Sequence, residues 1–257
     1  MTTRRNFCFS GLALMALSSL PPVVAGTRAL ELATPPGLPA VYLHELQHQK
    51  PRIAGHKVEL RTWRDPNQLR AWAAAERIDA SASPTNVAAN LNARGAPVGL
   101  LDVSVWGLLF VIQAGSFGED GLSALRGQRV GVPFREDMPD VVFRRLLQAQ
   151  DFDDESMEIV YLGSPVEAVQ LFLARRLDAV VVPEPAATLV EERAATLGLE
   201  PSRLDLQEVW ARAFGGVPAL PQAGTLCQRR LLAEAPEVVG EFNEALANAV
   251  AAVRDAP

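Results

Sequence analysis

Two kinds of chemistry are available from the residue types of this chain, one metal-based and one built on hydrogen bonds. His44-Glu45-Leu46-Gln47-His48 spells HExxH. On a helix, histidines four apart share one face at a spacing suited to two zinc ligands, with the glutamate set as general base. A catalytic zinc needs a third protein ligand. Pro51 and Ala54 stand where a metzincin extension would place glycine and histidine, and His56 falls past the helix end. A solvated helix face carrying His44 and His48 is the expectation; a zinc protease and adventitious surface metal are the alternatives.

The second kind is recognition by convergent donors. Strand-turn-helix junctions fall at 35–38, 83–86, 134–139, 163–165 and 183–185. The first amides of a helix lack intrahelical partners and carry partial positive charge, so each junction is a potential polar contact. Any one of them alone reads as an ordinary capped helix. Five at strand ends in one fold point to a shared cleft. The side chains there are Pro36 and Gly37; Ser83, Thr85 and Asn86; Phe134, Arg135, Asp137 and Met138; Ser164; and Glu184. Ser83, Thr85 and Asn86 offer hydroxyl and amide hydrogen bonds, and Arg135 and Asp137 recognise charge or orient polar groups. Glu184, between two prolines, is either a solvated carboxylate at a helix start or an acceptor for a ligand N–H. Trp63, Trp106 and Phe134 are candidates for stacking on a planar ligand.

The elements that position these groups alternate. β-rich runs at Glu31–Ala33, Lys57–Thr62, Ile78–Ala82, Val98–Leu101, Val103–Ile112, Arg129–Pro133, Glu158–Leu162 and Ala179–Val182 are separated by helical patterns. The helices are expected over Leu38–Gln49, Pro66–Arg77, a segment from Thr85 or Asn86 to Asn92, Pro139–Gln150, Pro165–Arg175, Pro185–Leu197 and Pro236–Val253. Such alternation predicts an α/β fold with largely parallel sheets flanked by helices. Ligands in such folds bind beyond the carboxyl ends of the strands. A glycine-rich break at Gly115–Gly121 and a change near Gly215 predict two lobes. Lobe 1 is expected at 26–112 plus 214–257, with lobe 2 inserted at 113–213.

The chain is acidic, with net charge −6, which argues against nucleic acid or anionic membrane as the partner. Arg4-Arg5, the apolar run from Phe7 to Leu20 and the small residues before Gly26 form an export signal cleaved near Ala25. Thr3-Arg4-Arg5-Asn6-Phe7 also resembles a twin-arginine signal. Cys8 leaves with that segment, and Cys227 alone cannot form an internal disulfide. No cofactor is implied.

Several segments resemble the solute-binding proteins of ABC importers, in the nitrate/sulfonate/taurine and thiamine-precursor (hydroxymethylpyrimidine) group. They are Ile78-Asp79-Ala80, Pro84-Thr85-Asn86-Val87-Ala88-Ala89, Leu125-Arg126-Gly127-Gln128-Arg129-Val130-Gly131-Val132-Pro133 and Met138-Pro139-Asp140. Gly95-Ala96-Pro97-Val98, Gly163-Ser164-Pro165 with Glu167-Ala168, Leu177-Asp178-Ala179, Pro183-Glu184-Pro185 and Pro221-Gln222-Ala223-Gly224 complete the set. The resemblance implies a two-lobed type II periplasmic-binding fold and a periplasmic, monomeric binder. It also implies that Gln222 joins the site, and that the partners are a small-molecule ligand and a membrane permease with its ATPase. Members of the group usually continue past the helix that ends near Val253; this chain stops at Pro257, as a compact or a truncated variant. A lyase on the same fold, of the menaquinone or pyrimidine biosynthesis type, is the alternative.

Overall fold

The structure, a computed structural model, describes residues 28–118, 121–152, 156–217 and 219–255; the expected export segment lies outside them. The first part of the chain forms β1 (Leu30–Thr34), α1 (Leu38–Gln49), β2 (Arg52–Ile53), β3 (His56–Thr62) and α2 (Pro66–Ala74). It continues through β4 (Ala80–Pro84), α3 (Thr85–Ala93) and β5 (Val98–Trp106). Next come β6 (Leu109–Gln113), β7 (Arg129–Pro133), α4 (Met138–Ala149), β8 (Glu158–Leu162) and α5 (Pro165–Leu173). Then follow β9 (Ala179–Pro183), α6 (Ala186–Thr196), β10 (Ser202–Asp205) and α7 (Leu206–Phe214). The last elements are β11 (Pro221–Gln228), α8 (Arg229–Glu234) and α9 (Pro236–Arg254).

Two sheets result, ordered β2-β3-β1-β4-β11-β5 and β10-β6-β9-β7-β8. Read from β3 and from β8, they correspond strand for strand: β3-β1-β4-β11-β5 against β8-β7-β9-β6-β10. Each centres on a parallel trio, β3-β1-β4 or β8-β7-β9. The sheets are nevertheless mixed, because β11 and β6 run antiparallel to both of their neighbours. The cause is where each strand enters. β5 ends at Trp106, and β6 begins at Leu109 opposite Pro183, the last residue of β9. β11 in turn begins at Pro221 opposite Trp106. A strand arriving from the other lobe starts at the inter-lobe edge and can only run away from it.

The chain changes sheet at Gly107–Leu108, ahead of the break expected after Ile112. The apolar run from Val103 to Ile112 hides the turn. Gly107 has φ of +87°, and the Gln207 carboxamide lies 1.7 Å from where its Cβ would be. Its N–H donates to the Leu220 carbonyl at 2.8 Å, so the two crossing segments are bonded to each other. Within the first sheet, Gly224 lets β11 press against β5 at a bulge. A Cβ there would sit 1.9 Å from the Asp102 carbonyl oxygen.

The two Asp-Ala motifs do the same work in both lobes. The Asp79 carboxylate accepts the Glu31 N–H of β1 at 2.8 Å, while the Asp79 N–H donates to the Glu31 carbonyl at 2.7 Å. In lobe 2, Asp178 accepts the Arg129 N–H of β7 at 2.9 Å and donates back to its carbonyl at 2.9 Å. Each aspartate thereby sets the register of one parallel pair, Leu32 beside Ala80 and Val130 beside Ala179. Arg230 and Arg28 neutralise Asp79, and Arg129 neutralises Asp178. These residues hold the sheets together.

The first sheet is covered on one face by Leu46 of α1 and Phe242 of α9, and on the other by Leu69 of α2 and Val87 of α3. In the second, Phe143 and Leu146 of α4 pack on Val130 and Val132. Phe143 is fully buried. Phe143→Ala should therefore cost about 3–5 kcal/mol of unfolding free energy. Val141→Ala, on the exposed side of the same helix, should stay within about 0.5 kcal/mol of wild type. Urea unfolding of both variants checks this.

Candidate functional site

The carboxyl ends of the parallel strands in both sheets carry the residues that sequence spacing singled out. From the first lobe these are exposed Pro36 and Gly37 before α1, then Thr85 and Asn86 at the start of α3. Trp106, 55% exposed, lies at the end of β5, and Gln222 at the start of β11. From the second lobe come Phe134, Arg135, Asp137 and Met138 ahead of or opening α4, Ser164 ahead of α5, and Glu184 ahead of α6.

Asp137 is where the lobes meet. Its Oδ2 accepts Arg70 Nη2 of α2 at 2.8 Å, and its Oδ1 accepts Asn86 Nδ2 of α3 at 2.9 Å. The residue is 2% exposed. An aspartate at a helix N-cap ordinarily bonds the amides of its own first turn. Asp137 is the N-cap of α4 and makes no such bond. Its carboxylate is spent across the gap instead.

The loop that presents it is stiff. Phe134 and Glu136 both have left-handed backbone, with φ of 58° and 62°, a conformation that costs energy without glycine. Buried Asp140 holds them there: Oδ2 accepts the Glu136 N–H at 2.7 Å, and Oδ1 accepts the Tyr161 hydroxyl at 3.2 Å. Burial, with Asp140 beside it, pushes the Tyr161 phenol above its ordinary range, so it stays a donor. The Arg135 guanidinium lies over the Tyr161 ring at 5.0 Å. Beside this loop opens a hollow of about 230 Å³. Asn67 and Arg70 of α2, Asn90 and Leu91 of α3 with Arg94 just after it, and Arg135 and Glu136 of the loop line it. Three arginines from two lobes and one glutamate thus share its lining.

Of the candidate side chains, Asn86 and Gln222 each bury an oxygen without a protein partner, Asn86 Oδ1 and Gln222 Oε1. Such atoms are costly unless something donates to them.

Other candidate side chains are already engaged. The Thr85 hydroxyl donates to the Pro221 carbonyl at 2.7 Å, tying α3 to β11, so neither it nor Asn86 caps α3. Ser83 is buried, its hydroxyl donating to the Pro84 carbonyl at 3.3 Å. Ser164 caps α5 by accepting the Glu167 N–H at 3.1 Å. Met138 belongs to the lobe 2 core. Trp63 is also a core residue, its indole N–H donating to Ser81 at 3.2 Å. Glu184 accepts from Arg203 and, at 3.1 and 3.0 Å, from the Thr188 N–H and hydroxyl. On α1, His44 and His48 are exposed and Glu45 accepts from Gln49 at 2.8 Å. Among the described residues no three His, Cys, Asp or Glu side chains gather as a metal site would require.

Arg70, Asn67, Asn90, Arg94 and Glu136 were not singled out by sequence spacing. One signal was there: Asn86, Asn90 and Arg94 follow one another at intervals of one helical turn and form a polar stripe on α3.

Residues 113–257, more than half of the chain, match the NMT1-like family. The chain belongs to the NMT1-like family. Its fold is shared with solved structures of low sequence identity. One is the periplasmic aliphatic sulphonate binding protein SsuA from Escherichia coli, at 16% identity and TM-score 0.71, covering 89% of this chain and 74% of that one. Another is the alkanesulfonate-binding protein SsuA from Xanthomonas axonopodis pv. citri bound to MOPS, at 18% identity and TM-score 0.62 over 88% and 74%. An ABC transporter protein from Parabacteroides distasonis gives 20% and 0.66 over 87% and 72%. No curated protein matches. This NMT1-like chain therefore has the two-lobed fold of periplasmic binding proteins.

Burial alone would raise the Glu184 carboxyl, but the Arg203 guanidinium and the Thr188 donors outweigh it and hold the group below its ordinary value of 4.5. A carboxylate with a lowered pKa stabilises the fold above its unfolded value, and that stability is lost as pH falls through the folded one. Arg203→Met should cost about 1 kcal/mol at pH 7, since the pair is partly solvated. The deficit should shrink as pH drops below 4.5. Urea unfolding at neutral and acid pH measures both.

Proposed function

We propose that this protein is the extracytoplasmic solute-binding component of an ABC importer. It captures a small polar organic molecule or oxyanion between its lobes and hands it to a membrane permease driven by an ATPase. We take lobe 1 as residues 28–107 with 221–255 and lobe 2 as 108–220, following the sheet change at Gly107. The chain is exported and works as a monomer in this reading.

The observation that carries the proposal is the hollow at the seam, lined by Arg70 and Arg94 of one lobe and Arg135 of the other. Guanidinium forks with neighbouring carboxamides suit oxygen-rich anions, by charge and by paired N–H donation. Contacts contributed from both lobes mean that a bound solute favours the closed arrangement by its differential affinity. The sulfonate-binding names of two proteins that share the fold agree with an acidic solute.

The test is calorimetry and thermal melting with a panel of small sulfonates, carboxylates and inorganic oxyanions, after mass spectrometry of copurifying molecules. At least one member should raise Tm and bind without turnover, and Arg135→Ala should weaken it about tenfold, the equivalent of about 1.4 kcal/mol. Unchanged affinity in Arg135→Ala would sink this site. Catalytic consumption of the solute would sink the transport role.

A further inference from the structure

We propose that Arg70 and Asn86 are the receptor for the acid group of a small anionic solute, and that Asp137 occupies it as an internal stand-in until the solute displaces it. The inference rests on the solute-binding reading and names the solute's charge. Asp137 behaves as a ligand would. It is a carboxylate from one lobe, 2% exposed, taking a guanidinium N–H at 2.8 Å and a carboxamide N–H at 2.9 Å from the other.

Its position makes displacement feasible. Asp137 is the N-cap of α4 yet bonds no amide of that helix. Once released, its carboxylate has a second place to go: it can turn back onto its own helix and accept the Asp140 N–H, the capping amide left where Pro139 has none. The incoming acid group compensates the guanidinium that Asp137 leaves. No buried charge is left alone at either end of the exchange, which is the condition for it to run reversibly.

The approach is also provided. Arg70 lines the hollow together with Asn67, Asn90, Arg94 and Arg135. Asn86 Oδ1, buried and without a protein partner, lies on the same carboxamide that donates to Asp137. It would accept a hydroxyl or amine N–H carried next to the acid group. A cation has no such path, because Glu136 is the single carboxylate among these arginines.

The device sets a threshold. A solute must outcompete a carboxylate tethered to the same molecule, at high effective concentration, so weak anions do not displace it. Removing the tethered competitor should raise affinity for anions. The same removal should loosen the lobes when no solute is present.

Two readouts on the full exported chain test this. The first needs no solute: small-angle scattering of wild type, Asp137→Asn, Arg70→Gln and the exchanged pair Asp137→Arg with Arg70→Asp. Single variants should give a larger radius of gyration than wild type, and the exchanged pair should return toward it. Equal radii in all four overturn the latch. The second is calorimetry with ethanesulfonate, propionate and ethylammonium as probes. Asp137→Asn should bind at least one of the two anions at least tenfold more tightly than wild type does, Arg70→Gln should lose that binding, and ethylammonium should bind none. Equal anion affinity in wild type and Asp137→Asn overturns the stand-in while leaving solute binding intact. Expansion of Asp137→Asn without anion binding overturns the solute's charge. Failure of the wild type and Asp137→Asn to bind any member of the wider panel overturns the solute-binding reading itself.

Discussion

The layout of this molecule's seam follows from one directional constraint: a chain that leaves one sheet at the carboxyl ends of its strands must enter the next sheet from the same edge. The antiparallel entries of β6 and β11 are the direct consequence. Both crossings therefore lie against the cleft, and they are bonded to one another through Gly107 and Leu220. The strand ends that surround them carry the helix starts of both lobes. A fold built this way brings its unpaired amides and polar caps to a single seam without any long loop to carry them.

Across that seam the dominant force is electrostatic. Arg70 is partly buried and Asp137 almost completely so. Taking such charges out of solvent costs several kcal/mol per ion unless good hydrogen bonds compensate. Asn86 supplies the second bond that completes the carboxylate's shell on the cleft side. The left-handed Phe134 and Glu136 add a local cost, which the buried Asp140 clamp offsets. Strained backbone at a stiff loop that carries a buried charge is a sign of a position fixed in advance. A side chain held this rigidly loses little entropy on pairing, whereas a free solute that took its place would give up translational and rotational freedom as well.

Much of the fold is legible in the sequence because parallel α/β units announce themselves locally. Val180-Val181-Val182 or Leu146-Leu147 declare burial by composition alone, and each strand-turn-helix junction has a proline or a small polar residue at its corner. What escapes local reading is anything set by the partner strand. β10 (Ser202–Asp205) is short and polar, and its pairing with β6 is a matter of register. β11 contains Gln222, Gly224 and Gln228, a composition that argues against a central strand. It is central only because Gly224 allows close approach to β5 and because Gln228 donates to the Ala73 carbonyl at 2.7 Å. The direction of β6 is not encoded in any residue at all.

The site divides the same way. Local chemistry named Asp137, Asn86 and Arg135, because each sits at a helix start where unpaired amides give a polar side chain a purpose. It also named Ser164 and Glu184, and the same logic explains their actual employment: Ser164 is a cap, and Glu184 is an ion-pair partner on its own lobe. A residue type that suits a ligand suits an intramolecular bond equally well, so local reading cannot separate the two. Arg70 shows the converse. It stands in mid-helix beside the apolar stripe of Leu69 and Ala73, where an arginine ordinarily faces water. Its role comes entirely from a carboxylate sixty-seven positions away. The groups that join two lobes are the ones whose meaning depends on both, and only the folded chain brings those together.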